Sequence, residues 1–115
     1  MKKTFFIIVL LAFGLAGFSQ TTWTGAEDTD WNNAQNWNSN SVPTASDDVI
    51  IPDVSAGSNR YPVIASSTTD AVCKNLLISL GASLTIDADK KLIYRGHITV
   101  NGTFTVNGTL LFTQL

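Results

Sequence analysis

All three tryptophans of the 115-residue chain, Trp23, Trp31 and Trp37, fall within sixteen residues, WTGAEDTDWNNAQNWN. Indole faces stack on sugar rings, and neighbouring Asn, Gln and Asp side chains can hydrogen-bond hydroxyls. Trp23, Trp31 and Trp37 are therefore a candidate carbohydrate-binding set. The same stretch places Asp28, Asp30 and Asn32 at alternate positions, as at the start of a calcium loop. Asn33 stands where an EF-hand needs Gly, and Ser39 where it needs a bidentate Glu, so an EF-hand is excluded. An irregular calcium site stays open, against the plainer reading that these side chains cap local turns. No metal ligand set is assigned, and Asp47-Asp48 adds none.

Catalytic constellations do not assemble elsewhere. The one histidine, His97, has strand parity that turns it outward beside Thr99, with no base or metal partner in the neighbouring sequence. There is no G-x-S-x-G turn, P-loop or dinucleotide glycine fingerprint, and nothing selects a glycosidase carboxylate pair. No catalytic residue and no cofactor is expected. The single cysteine, Cys73, cannot form an internal disulfide and reads as a small buried hydrophobe between Ala71-Val72 and Leu76-Leu77. The sequons at Asn101 and Asn107 coincide with repeat corners and need no glycan to explain them.

Lys2 and Lys3 precede an uncharged, largely apolar run from Phe5 to Phe18, the pattern of a secretory signal peptide. Cleavage after Ser19 puts small residues at Ser19 and Gly17, so the expected mature chain is Gln20 to Leu115. The run is shorter than the roughly 20 residues that span a bilayer, and no membrane insertion of the mature chain is expected. Loss of Lys2 and Lys3 leaves five basic against nine acidic side chains, moving the formal charge from -2 to -4. Scattered cations on an acidic chain argue against nucleic acid as a partner. Ninety-six residues hold one modest core.

The elements that must position these residues are strands. Ser41 to Asp53 sets a turn before the β-branched run Val49 to Ile51, which Pro52 closes. From Leu76 to Phe112 one parity is almost wholly apolar or glycine, and the other mostly Ser, Thr, Asn and charge. Within this lie GHITVN (96–101), GTFTVN (102–107) and GTLLF (108–112), with GASLTID (81–87) as an imperfect earlier copy. Asn101-Gly102 and Asn107-Gly108 are hairpin signals at face value. A two-residue hairpin would pair Val100 with Thr103 and Thr99 with Phe104, setting each strand's apolar side opposite to its neighbour's. A chain that turns a corner at each Gly keeps every apolar residue inward. The expected fold is thus all-β, a parallel β-helix or β-solenoid; an antiparallel β-sandwich is the alternative, if a bulge restores the hairpin phase.

A solenoid's first coil needs a cover, and the Trp-rich segment is the only aromatic-rich stretch before it. Residues 1–19 are then the signal peptide, 20–48 the capping segment and 49–115 the coils. The motifs W-T-G, D-x-D-W-N, N-W-N and S-V-P-T-A-S-D-D-V-I-I-P resemble the N-terminal region of secreted bacterial parallel β-helix surface proteins, both autotransporter-type passengers and type IX-exported cell-surface proteins. The matching residues are Trp23 to Gly25, Trp31, Asn36 to Asn38, Pro43, Asp47 to Ile51 and the units at Gly81, Gly96, Gly102 and Gly108. That resemblance implies a right-handed helix, opened by the W-G and N-W segment, and a secreted or cell-surface location. It also implies further coils or domains, since the chain stops at Leu115 in mid-repeat. The expected function is a non-enzymatic structural or adhesive module, with surface or extracellular glycans as candidate partners. The alternative is a carbohydrate-binding module of a secreted polysaccharide-active enzyme.

Overall fold

In the computed structural model, which describes residues 19–66 and 68–114, ten short strands carry the chain. The leader assigned to residues 1–19 lies outside the described residues, Ser19 excepted. After β1 (Ser19–Thr22), a one-turn 3-10 helix at Ala34–Asn36 is the only helical element among the described residues. A first circuit follows in β2 (Asp47–Ile51), β3 (Val63–Ile64) and β4 (Ala71–Cys73). The second is β5 (Asn75–Ile78), β6 (Ser83–Ile86) and β7 (Lys91–Tyr94). The third is β8 (Ile98–Val100), β9 (Thr103–Val106) and β10 (Thr109–Phe112).

Hydrogen bonding gathers these strands into three sheets, ordered β1-β2-β5-β8, β3-β6-β9 and β4-β7-β10. Every strand pairing is parallel, and no sheet closes into a barrel. The antiparallel β-sandwich is thereby overturned. Its physical reason is the parity conflict across Asn101-Gly102 and Asn107-Gly108: β8, β9 and β10 lie in three different sheets and do not pair with one another. Among the described residues the only antiparallel bridge is an isolated one between Trp23 and Trp37.

Parallel register stacks like on like. Val49 pairs with Leu76 and Leu76 with Ile98; Ile51 pairs with Ile78, Ile64 with Ile86, Leu84 with Phe104, and Leu92 with both Ala71 and Leu110. Each inward position meets an apolar side chain above or below, and Val49, Ile51, Ile64, Leu76, Ile78, Leu84, Ile86 and Leu92 are buried. Burying each such side chain contributes about 1.5–3 kcal/mol before conformational entropy is subtracted. Period-two alternation keeps its inward phase in the strands from Leu76 on and departs from it at two turns, where Leu80 and Ala88 are exposed. Leu80 is 80% exposed, because it rides on the corner turn in which the Ala82 amide donates to the Ser79 carbonyl at 2.9 Å.

The corners also revise the role of the repeat glycines. Gly102 and Gly108 do not have positive φ, so left-handed backbone is not what they supply. A Cβ on Gly102 would collide with the carbonyls of Ser79 and Ala82, and one on Gly108 with those of Asp87 and Lys90. Each glycine lets a corner settle directly on the corner of the circuit before it.

Candidate functional site

The segment from Thr22 to Ser41 folds over the start of the first sheet. The Trp23 amide donates to the Ile50 carbonyl (3.0 Å), extending β1 alongside β2. On the far side of β1, Asn38 uses its amide to reach the Thr22 carbonyl (3.0 Å), while its side-chain oxygen accepts from the Thr22 N–H (2.9 Å). At Thr22 the edge of β1 is thus satisfied locally rather than left bare.

All three indoles pack into this fold-over. Trp37 stands edge-on to both others, with ring centroids 5.1 Å from Trp23 and 4.9 Å from Trp31, the T-shaped arrangement that aromatic quadrupoles favour. Their exposures are 1% for Trp23, 0% for Trp31 and 1% for Trp37. Trp23 Nε1 donates to the Arg60 carbonyl and Trp37 Nε1 to the Trp31 carbonyl, each at 2.8 Å. Trp31 Nε1 and Asn32 Oδ1 are buried without a protein partner. The structure therefore does bring the three candidate carbohydrate-binding residues together, but with no indole face open for a sugar ring.

The acidic part of the segment is engaged by its own backbone. Asp28 Oδ1 accepts from the Asp30 N–H (3.0 Å) and from Asn36 Nδ2 (2.6 Å), and Asp30 Oδ1 accepts from the Asn32 N–H (2.9 Å). The Asp30 N–H, and after it the Asn36 amide, hold the Asp28 carboxyl below the usual carboxylate range. Among the described residues no group of three or more His, Cys, Asp or Glu is arranged to hold a metal ion.

Asn36 is 0% exposed and connects these parts. Its Nδ2 donates to Asp28 Oδ1 and the Asp30 carbonyl, and its Oδ1 accepts from the Glu27 and Asp28 amides at 2.8 and 3.0 Å. Gly25, at φ +66°, leaves room for Ser58 Oγ, which a Cβ would approach to 2.7 Å. Arg60 clamps the same turn through Nε to the Gly25 carbonyl (2.8 Å) and a terminal nitrogen to the Ala26 carbonyl (2.7 Å).

A second feature, which sequence reasoning missed, lies on the outer face of the first sheet. Register places Gln20 beside Asp48, Asp48 beside Asn75, and, one residue before the Leu76–Ile98 pair, Asn75 beside His97. Ile50 and Leu77 form an apolar floor next to this polar row, between Thr22 and Thr99. Together they line an open groove of about 400 Å³. The row is internally bonded: Asn75 Nδ2 donates to Asp48 Oδ1 (2.8 Å), and Asn75 Oδ1 accepts from the His97 amide (2.7 Å). His97 is exposed on this face, as its parity requires. Cys73, buried, has its thiol pushed up to about 12 by burial and then by the Asp48 charge. Such a thiol is not a nucleophile at neutral pH.

A family described as Domain of unknown function (DUF8693) matches residues 22–114, from the Trp-rich segment to the last strand. The chain belongs to this family. Neither a curated protein nor a solved structure matches it. The DUF8693 match spans the fold-over and all three circuits, so the tryptophans and the strands are parts of one unit. No described helix is long and apolar enough to cross a membrane.

Proposed function

We propose that the chain is the opening segment of a right-handed parallel β-helix, a non-enzymatic structural or adhesive module of a secreted or cell-surface bacterial protein. Residues 20–48 form the lid of its first coil. Three circuits through the same three sheets in the same order are what a three-sided solenoid requires. Parallel crossovers in one sheet are nearly always right-handed, which favours that hand. Export rests on the leader pattern at residues 1–19.

The observation that carries the proposal is the burial of Trp23, Trp31 and Trp37 against one another at the end where the first coil begins. Rings of this size cover the apolar interior, and the Asn-rich turns between them satisfy backbone groups that a bare coil end would leave open. Further coils or domains of a longer protein fit this role, as do glycans held elsewhere on the module.

The test is Trp37→Ala, read by melting and by glycan binding. A lid predicts a loss of about 3–5 kcal/mol, seen as a large drop in melting temperature, with glycan binding independent of the mutation. Unchanged melting together with lost glycan binding would make the segment a carbohydrate site instead.

A further inference from the structure

The groove on the outer face of the first sheet joins two rows of different chemistry. One row is polar and crosses the strands from Gln20 through Asp48 and Asn75 to His97. Asn75 is engaged by its neighbours, through Nδ2 to Asp48 Oδ1 and through Oδ1 to the His97 backbone N–H. The second Asp48 oxygen, the Gln20 amide and the His97 imidazole have no bonding partner among the described residues. The other row is aliphatic. Ile50 and Leu77 are paired in register and half-buried although they point away from the core, and Thr99 follows Leu77 on the next strand. The groove they line, about 400 Å³, falls within the range of ligand clefts, about 300–1,000 Å³, and has their usual make-up of apolar floor and few polar groups.

We infer that this groove binds an uncharged glycan chain laid across the strands, from one circuit to the next. The inference rests on the reading of the chain as an exported adhesive module and gives that module a contact surface away from the tryptophans. Charge selects the ligand first. Cleavage after Ser19 sets the Gln20 α-ammonium beside the Asp48 carboxylate, and no Lys, Arg or second acid lines the groove, so its formal charges cancel. A polyanion would approach an acidic chain with no free cation to meet it, and a polycation would find one carboxylate already answered. Spacing selects next: neighbouring strands step by about 4.8 Å, close to the rise of one pyranose unit in an extended glycan, so successive sugars meet successive strands. A pyranose ring is apolar on its face and hydroxylated along its edge. Its face can rest on Ile50 and Leu77 while its hydroxyls reach Asp48, Gln20 and His97. An extended peptide would need free backbone groups at a sheet edge, whereas β2 and β5 are paired on both sides. Because the groove lies on a face of the sheet, coils added after β8 lengthen it and leave it open.

Amide NMR spectra of the purified exported protein, titrated with cellohexaose, xylohexaose and mannohexaose, test this. Hexagalacturonate, a glucosamine hexamer and a neutral Ser-Leu hexapeptide serve as counterparts. At least one neutral sugar should shift the backbone signals of Asp48, Ile50, Asn75, Leu77 and His97 and leave those of Trp23, Trp31 and Trp37 in place. Binding of the charged sugars and of the peptide should be at least about tenfold weaker. The double variant Leu77→Thr with His97→Ala, at unchanged circular dichroism, should weaken binding of that neutral sugar by about tenfold or more. Silence with all three neutral sugars, equal binding of a charged sugar or of the peptide, shifts centred on the tryptophans, or indifference to the double variant would each overturn the inference. The titration of the parent protein needs no variant, so a poorly folding mutant does not decide the matter. Groove shifts in a protein whose melting ignores Trp37→Ala would sink the lid and keep this inference; a melting drop without groove shifts would do the reverse.

Discussion

Asn36 is the side chain around which the Trp-rich segment turns, since it alone bonds Glu27, Asp28 and Asp30 from a fully buried position. Asn36→Ala removes hydrogen bonds worth about 0.5–1.5 kcal/mol each and empties the buried position that the side chain fills. We expect a fall in melting temperature of about 10 °C, measured calorimetrically. Asp28 supplies a pH signature. Its carboxyl is depressed in the folded state, first by the Asp30 N–H and then by the Asn36 amide, so its stabilisation is full above the ordinary carboxylate pKa of about 4 and is lost as pH falls through the lower folded value. Asn36→Ala should flatten the acid limb of melting against pH; an equally steep limb would show that other carboxylates control it. Cys73 acts with opposite sign. Its thiol pKa is raised, so its contribution is present below the unfolded value and disappears as pH climbs from about 9 towards about 12. At pH 8 the native thiol should resist alkylation until denaturant is added.

Among the elements, the corners matter as much as the strands. Gly102→Ala and Gly108→Ala push a methyl group into paired carbonyls of the preceding circuit, and overpacking of this kind costs about 1–3 kcal/mol. Gly57→Ala is the control: only the Val54 carbonyl lies within reach, at 3.8 Å, and melting should move by no more than about 0.5 kcal/mol. Equal effects at all three sites would remove close approach as the reason for the repeat glycines. Parity and hexads made β8, β9 and β10 legible from sequence, because each side of that circuit is one hexad and its face pattern admits no hairpin. The reason for its glycines was not legible, since it lies in the backbone of another circuit. Nor was the Gln20, Asp48, Asn75 and His97 row. Those residues are 28, 27 and 22 positions apart, so no fixed period reveals them; only β7 to β10, 18 apart, keeps the three-hexad spacing. The earlier circuits carry longer corner loops, such as the one between β2 and β3 that supplies Arg60 to the Gly25 turn.

At the scale of the molecule, stability should run downhill from the tryptophans to the third circuit. The first end combines buried rings with a strand edge that Asn38 partners at Thr22, and the core narrows to half-covered side chains at the other. The aromatic cluster was visible in the sequence as a cluster, but whether its faces were open could not be read there, because burial depends on Ile50, Arg60 and the first sheet folding against it. Native-state hydrogen exchange measures this gradient directly. The indole N–H of Trp37, bonded to the Trp31 carbonyl, should exchange as slowly as the backbone amides of β5 and β6, by global unfolding only. An indole N–H that exchanges freely while β5 and β6 remain protected would contradict the account, for the segment would then be a loop resting on the coils and not the lid that closes them.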